Sequence, residues 1–249
     1  MFERVRDARW LLGGLVLGLA ACSELGQTGP RLAQGSFRTV IVDAGHGGKD
    51  NGGMSGRHMP VPLREKDLTL DTALRVRNHL RKAGFRVVMS RTDDRFIELD
   101  DRVALANRQG AGTILVSIHY NASGNSAANG AETYFWRADS HGLATRIERA
   151  LVREAGQREG GVIRRRLRLT RNPEIPCVLC ECAYLTSLGD NRRAANPDFR
   201  ERVATAIADG IKEEQRLGDA GIAAVPEIWA PLSKASDRYA SQPRRHRHG

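Results

Sequence analysis

The chain has 249 residues, 41% of them hydrophobic, and a formal charge of +10 at pH 7. Once the two ends are set aside, that is one α/β domain with ample material for a single core. The charge raises nucleic acid as a partner, but an N-terminal secretion signal and the lack of any basic-aromatic recognition motif exclude it. A basic surface favours instead a polyanionic matrix and an anionic membrane.

Residues 1–21 read as the secretion signal. Arg4, Arg6 and Arg9 give the positive start, and Trp10 to Ala21 form an apolar core. That core is too short to span a bilayer, which needs about 20 apolar residues. It ends at Leu19-Ala20-Ala21-Cys22, which resembles the bacterial lipoprotein box. The resemblance implies a mature chain that begins at a diacylglycerol-modified Cys22, with several acyl chains for stable membrane anchoring. Ser23 is not the aspartate that retains lipoproteins in the inner membrane. By resemblance to Gram-negative sorting, the expected location is the outer membrane, facing the periplasm. Residues 22–36 read as a flexible tether, rich in Gly, Gln, Ser and Pro.

The domain itself is expected over 37–217. Phe37 to Asp43 reads as a buried strand, and a Gly-rich loop follows through Gly53 and Gly56 to Pro62. A helix is predicted from about Asp67 to Lys82, with Leu70, Ala73, Leu74, Val76 and Leu80 as its apolar stripe and Gly84 at its end. Next come a strand over Phe85–Ser90, a helix over Leu99–Arg108 and a strand over Thr113–Ile118. Ala131–Trp136 reads as a strand bearing Glu132, and His141–Glu154 as a helix. A turn over Ala155–Gly161 leads to a basic strand around Arg166–Thr170. A strand over Cys177–Ala183 and a long helix from Pro197 to Gln215 close the domain. The alternation predicts an α/β fold: a mostly parallel twisted sheet of about six strands with helices on both faces. Residues 218–249 read as a flexible basic tail. Cys177, Cys180 and Cys182 share one predicted strand and read as small buried hydrophobes.

Two histidines stand at strand ends. Thr39-Val40-Ile41-Val42 runs into Asp43-Ala44-Gly45-His46-Gly47-Gly48, and Thr113-Ile114-Leu115-Val116 runs into Ser117-Ile118-His119-Tyr120-Asn121-Ala122. Ligands bind beyond the carboxyl ends of such strands. Imidazole is the commonest metal ligand, and with Glu65 between them the two histidines point to zinc. A hydrolytic zinc site needs three protein ligands and an open position, which His46, Glu65 and His119 supply. A separate carboxylate must move the proton, and Glu181, set in an apolar strand where partial burial would raise its pKa, is the candidate general acid–base, with a buried salt-bridge acid as the alternative. His58, His79 and His141 read as surface or structural residues. Glu132 reads as a metal-site neighbour or an arginine partner, Asn121 as an aid to the second histidine loop, and Arg91 and Arg102 as structural ion-pair residues or, less often, binders of substrate carboxylates.

These segments carry a resemblance. Residues 37–215 resemble the zinc-dependent N-acetylmuramoyl-L-alanine amidases of bacterial cell-wall turnover, the group with GHGG, EK and SIHxNA patterns. In order, the matching stretches are His46-Gly47-Gly48, Arg64-Glu65-Lys66, Ser90-Arg91-Thr92-Asp93, Leu99 to Asn107, Ser117 to Ala122 and Pro176 to Leu185. Tyr184 stands where the family has Phe, Ser187 where it has Asn, and Ala44 where it often has Pro. The resemblance implies zinc held by His46, Glu65 and His119, with Glu181 as the catalytic residue. The substrate it implies is peptidoglycan, cut at the amide between N-acetylmuramic acid and L-alanine. A zinc peptidase acting on stem peptides and a non-catalytic wall-binding lipoprotein remain open. Some members carry a helical plug between the second histidine and the catalytic glutamate. Here that interval is filled by two strands and a helix, so no obligatory protein activator is expected.

Overall fold

The computed structural model describes residues 31–225, so the signal, Cys22 and the end of the tail lie outside the described residues. The strands are β1 (Thr39–Ala44), β2 (Arg86–Met89), β3 (Thr113–Asn121), β4 (Ala131–Phe135), β5 (Glu159–Arg164) and β6 (Cys177–Tyr184). The helices are α1 (Glu65–Lys82), α2 (Leu99–Gln109), α3 (His141–Glu154), α4 (Arg168–Arg171), α5 (Leu188–Ala195) and α6 (Pro197–Leu217). One six-stranded sheet has the order β2-β1-β3-β6-β4-β5. Every pair is parallel except β4 with β6. Residues 122–130, between β3 and β4, are too few for the crossover of a dozen or more residues that a parallel return requires.

Side chains alternate across each strand, and the two faces differ in cover. Val40, Val42, Ile114, Val116, Val178 and Cys180 pack under α1, α3 and α6 in the main core. On the opposite face Ile41, Leu115 and Cys177 meet Ala106 of α2 and Leu169 of α4 in a smaller cluster. Two residues further along each strand, that second face becomes Asp43, Ser117, Leu179 and Tyr134, then His119, Glu181 and Glu132. The fold thus leaves a polar strip of sheet beside its smaller helical layer.

Two expectations are corrected. The strand expected around Arg166–Thr170 lies earlier, at β5, and its place is taken by the single turn of α4. Glu159-Gly160-Gly161 has turn composition, but the backbones close to within a distance only glycine permits: a Cβ on Gly160 would sit 2.3 Å from the Ala131 carbonyl oxygen. Thr170 folds its hydroxyl back onto the Leu167 carbonyl at 3.2 Å, a local bond that competes with a strand. The short helix α5 was not expected. It places buried Asp190 where it accepts from the Gly130 and Tyr184 N–H groups. The two ends of the described chain are joined, with Asp219 N–H donating to Leu32 O at 3.1 Å and Gly35 N–H to Gln215 O at 2.8 Å.

Glu148 of α3 is 1% exposed and accepts from the Thr133 hydroxyl at 2.8 Å and from Gly161 N–H at 3.2 Å. Burial lifts its pKa from 4.5 to about 7, against those hydrogen bonds. Because the folded value lies above the unfolded one, the penalty is absent below 4.5, grows with pH and is complete above about 7. At full size it costs about 3 kcal/mol. Denaturant unfolding of Glu148→Gln should therefore show a gain over wild type that is larger at about pH 8 than at about pH 5.

Candidate metal centre

His46, Glu65 and His119 come together from the end of β1, the first turn of α1 and the end of β3, with ligand atoms all within 4.8 Å of one another. His119 lies within β3 rather than after it. The Glu65 carboxylate sits between the rings, 3.0 Å from His46 Nε2 and 2.8 Å from His119 Nδ1. It also accepts from Gly53 N–H at 2.6 Å and Tyr120 N–H at 3.0 Å. Burial works to raise its pKa, but the two histidines hold it below the usual carboxylate range. Two imidazoles and one ionised carboxylate on a partly open cleft fit a hydrolytic metal site.

The loop at His46 is strained in a way that serves the site. His46 has φ 60, a left-handed conformation that a side chain adopts only where its surroundings demand it. Gly47 and Asp50 close on each other through paired backbone bonds of 3.0 and 3.1 Å. That turn brings the Asp50 carboxylate to 2.8 Å from His46 Nδ1, a second partner that fixes the ring and its tautomer. Burial opposes a charged ring, but Asp50 and Glu65 hold the His46 pKa up to about 10. A cation bound at neutral pH therefore displaces a proton. The two rings meet edge to face with centroids 4.9 Å apart, and the backbone is so close that a Cβ on Gly45 would lie 2.4 Å from the His119 ring.

Arg91 and Arg102 serve this loop rather than a ligand. Arg91 is fully buried and donates to the carbonyls of Ala44, Gly45 and Lys66 at 2.8–3.0 Å. Arg102 pairs with buried Asp43 and donates to the Ala44 and His46 carbonyls, each at 2.7 Å. Ser117 completes Asp43 with a bond of 2.6 Å. Lys66, next to Glu65, donates to Gly48 O at 2.7 Å and to Asp94 at 2.8 Å. Sequence reading missed Asp50 and Lys66 as supports. The one available signal was their position beside the two ligand segments.

Glu181 of β6 pairs in register with His119 of β3 and with Glu132 of β4. Its Oε2 is buried without a hydrogen-bond partner. Burial, then the charge of Glu65, hold its pKa well above the ordinary carboxylate value, with His46 opposing. Glu132 pairs with no arginine among the described residues: it accepts from the hydroxyls of Tyr134 and Tyr184 and stands 3.5 Å from the Asn121 amide, beside Glu181 in register. A Phe at position 184 could not make that bond. His79 is not a free surface residue, since it bonds Glu201 of α6 at 2.8 Å. His141 is buried against the Phe135 ring, and the three cysteines are buried and free.

A family model described as N-acetylmuramoyl-L-alanine amidase matches residues 40–213. The chain belongs to that family. It is 35% identical over 205 residues to the protein YqiI of Bacillus subtilis, covering 80% of this chain and 93% of that one. It is also 35% identical to the N-acetylmuramoyl-L-alanine amidase LytC of Bacillus subtilis, over 69% of this chain but only 34% of LytC. Among solved structures, the catalytic domain of the amidase CwlV from Paenibacillus polymyxa superposes with a TM-score of 0.67. The two share 36% identity, covering 73% of this chain and 99% of that domain.

Proposed function

We propose that this protein is a zinc-dependent N-acetylmuramoyl-L-alanine amidase that cleaves the amide joining the lactyl group of N-acetylmuramic acid to L-alanine in peptidoglycan. The observation that carries the reading is the convergence of His46, Glu65 and His119, with the carboxyl of Glu181 on the adjacent strand. Family membership supports the reaction class and the donor set supports zinc. When bound there, zinc supplies Lewis-acid chemistry, polarising a carbonyl and acidifying water.

The chain's own residues do the rest. His46, Glu65 and His119 hold the ion, and Asp50 fixes the first ring. Glu181 takes a proton from the attacking water and passes one to the amine nitrogen as the C–N bond breaks. Its raised pKa, set by burial and then by the charge of Glu65, favours the half in which it gives the proton. Digestion of dye-labelled sacculi by the purified protein should proceed with no partner added, stop on chelation and return with one equivalent of zinc. Digestion that is indifferent to chelation would reject the metal-assisted reading.

The same reading extends to location. We propose that lipid on Cys22 anchors the domain at the outer membrane, within reach of the wall. Cys22→Ala should abolish acyl labelling and shift the protein out of the membrane fraction. Unlabelled, soluble wild-type protein would reject the anchor.

A further inference from the structure

Two recesses meet at the metal centre and share only His46 and His119. One, of about 350 Å³, lies toward α2 and α4 and is lined by Phe96, Glu98, Leu99, Asp100 and Arg168. The other, of about 840 Å³, is lined by the loops carrying Gly53, Ser123 and Gly124, and by Glu181 and Thr186. Resting on the amidase reading above, we propose that the recesses divide the substrate. The muramic acid glycan and its lactyl group occupy the α2–α4 recess, and the stem peptide occupies the recess beside Glu181.

The argument begins with the proton. Hydrolysis adds the oxygen of water to the acyl carbon, breaks the C–N bond and leaves the nitrogen with one more proton. The group that delivers that proton must lie within hydrogen-bond reach of the nitrogen. Glu181 lines the larger recess and not the smaller one. The amine half of the amide therefore points into the larger recess. With the carbonyl at His46 and His119, the acyl half points the other way.

The walls fit that division independently. The larger recess is edged by Gly124, where nothing lies within 4 Å of a side-chain position and an extended peptide can reach the backbone. The smaller recess mixes the apolar faces of Phe96 and Leu99 with the carboxylates of Glu98 and Asp100. Apolar faces pack on the C–H faces of a sugar ring, while carboxylates accept from its hydroxyls. Arg168 is ion-paired to Asp100, Arg102 to Asp43 and His46 to Asp50, so the negative charge of the recess comes down to Glu98. That charge repels the carboxylates of a stem peptide and is indifferent to a neutral glycan.

Titrating isotope-labelled, zinc-loaded protein separately with two probes tests the division. The probes are the disaccharide of N-acetylglucosamine and N-acetylmuramic acid, and the free tetrapeptide beginning with L-alanine. The disaccharide should shift the amide resonances of Ile97 to Asp100, and the peptide those of Gly53, Ser123, Gly124 and Thr186. Leu99→Trp, which fills the smaller recess from an exposed position, should weaken the disaccharide by about tenfold or more and the peptide by less than about twofold. Exchanged footprints, a single shared footprint, or equal effects of Leu99→Trp on both probes would overturn the proposal. Sacculus digestion by the wild type separates the two failures. An active protein with exchanged footprints loses only this division, whereas an inactive one that binds neither probe loses the amidase reading as well.

Discussion

His119→Ala should strip the zinc while leaving the sheet folded. Wild-type protein is expected to hold about one equivalent per chain, the content of a single three-ligand site. Mutating even a group behind a metal ligand costs 10- to 100-fold in affinity, so deleting a ligand should cost more than about 100-fold. The fold should survive because His119 stands on the polar strip of the sheet, outside both hydrophobic clusters. Glu65 keeps its bonds from Gly53 and Tyr120 N–H in the variant. Metal analysis after dialysis, with circular dichroism as the control for folding, checks both halves. Equal zinc content in wild type and a His46/His119 double variant would remove the assignment.

Glu181→Gln should separate metal binding from chemistry. The amide keeps the size of the side chain and loses only the capacity to take and give the proton. Because Glu181 Oε2 has no hydrogen-bond partner to lose, the replacement costs little in packing or bonding. Zinc should remain at its wild-type level, and hydrolysis should fall by about 10²-fold or more, the scale of general acid–base catalysis. That loss equals about 2.7 kcal/mol or more of barrier. Near-normal turnover with zinc in place would make Glu181 a structural acid.

The elements that bring these residues together were largely legible in the sequence, and for a physical reason. Buried parallel strands are continuous β-branched runs that stop at Gly, Asn or Ser, so the runs before His46 and His119 mark both strand and site. The long helices α1 and α6 carry apolar stripes that the spacing of their residues displays. What was not legible depends on contacts distant in sequence. The β5 strand hides behind Gly160 and Gly161, which look like a turn until the Ala131 backbone closes on them. Glu132 gives no hint of its two tyrosine partners, one from its own strand and one from β6. Arg91 and Arg102 suggest ion pairs, yet most of their bonds go to carbonyls, because those of the strained His46 loop need donors. Asp50 becomes visible as a ring partner only once the left-handed turn at His46 is known.

The central claim is which bond is cut, and mass spectrometry of purified sacculi after incubation with the full protein reads it directly. The account predicts release of whole stem peptides with a free L-alanine amine, and glycan strands left intact with lactyl carboxylates. New amine termini inside the stem peptide, with L-alanine still joined to muramic acid, would contradict it and identify a stem-peptide peptidase instead.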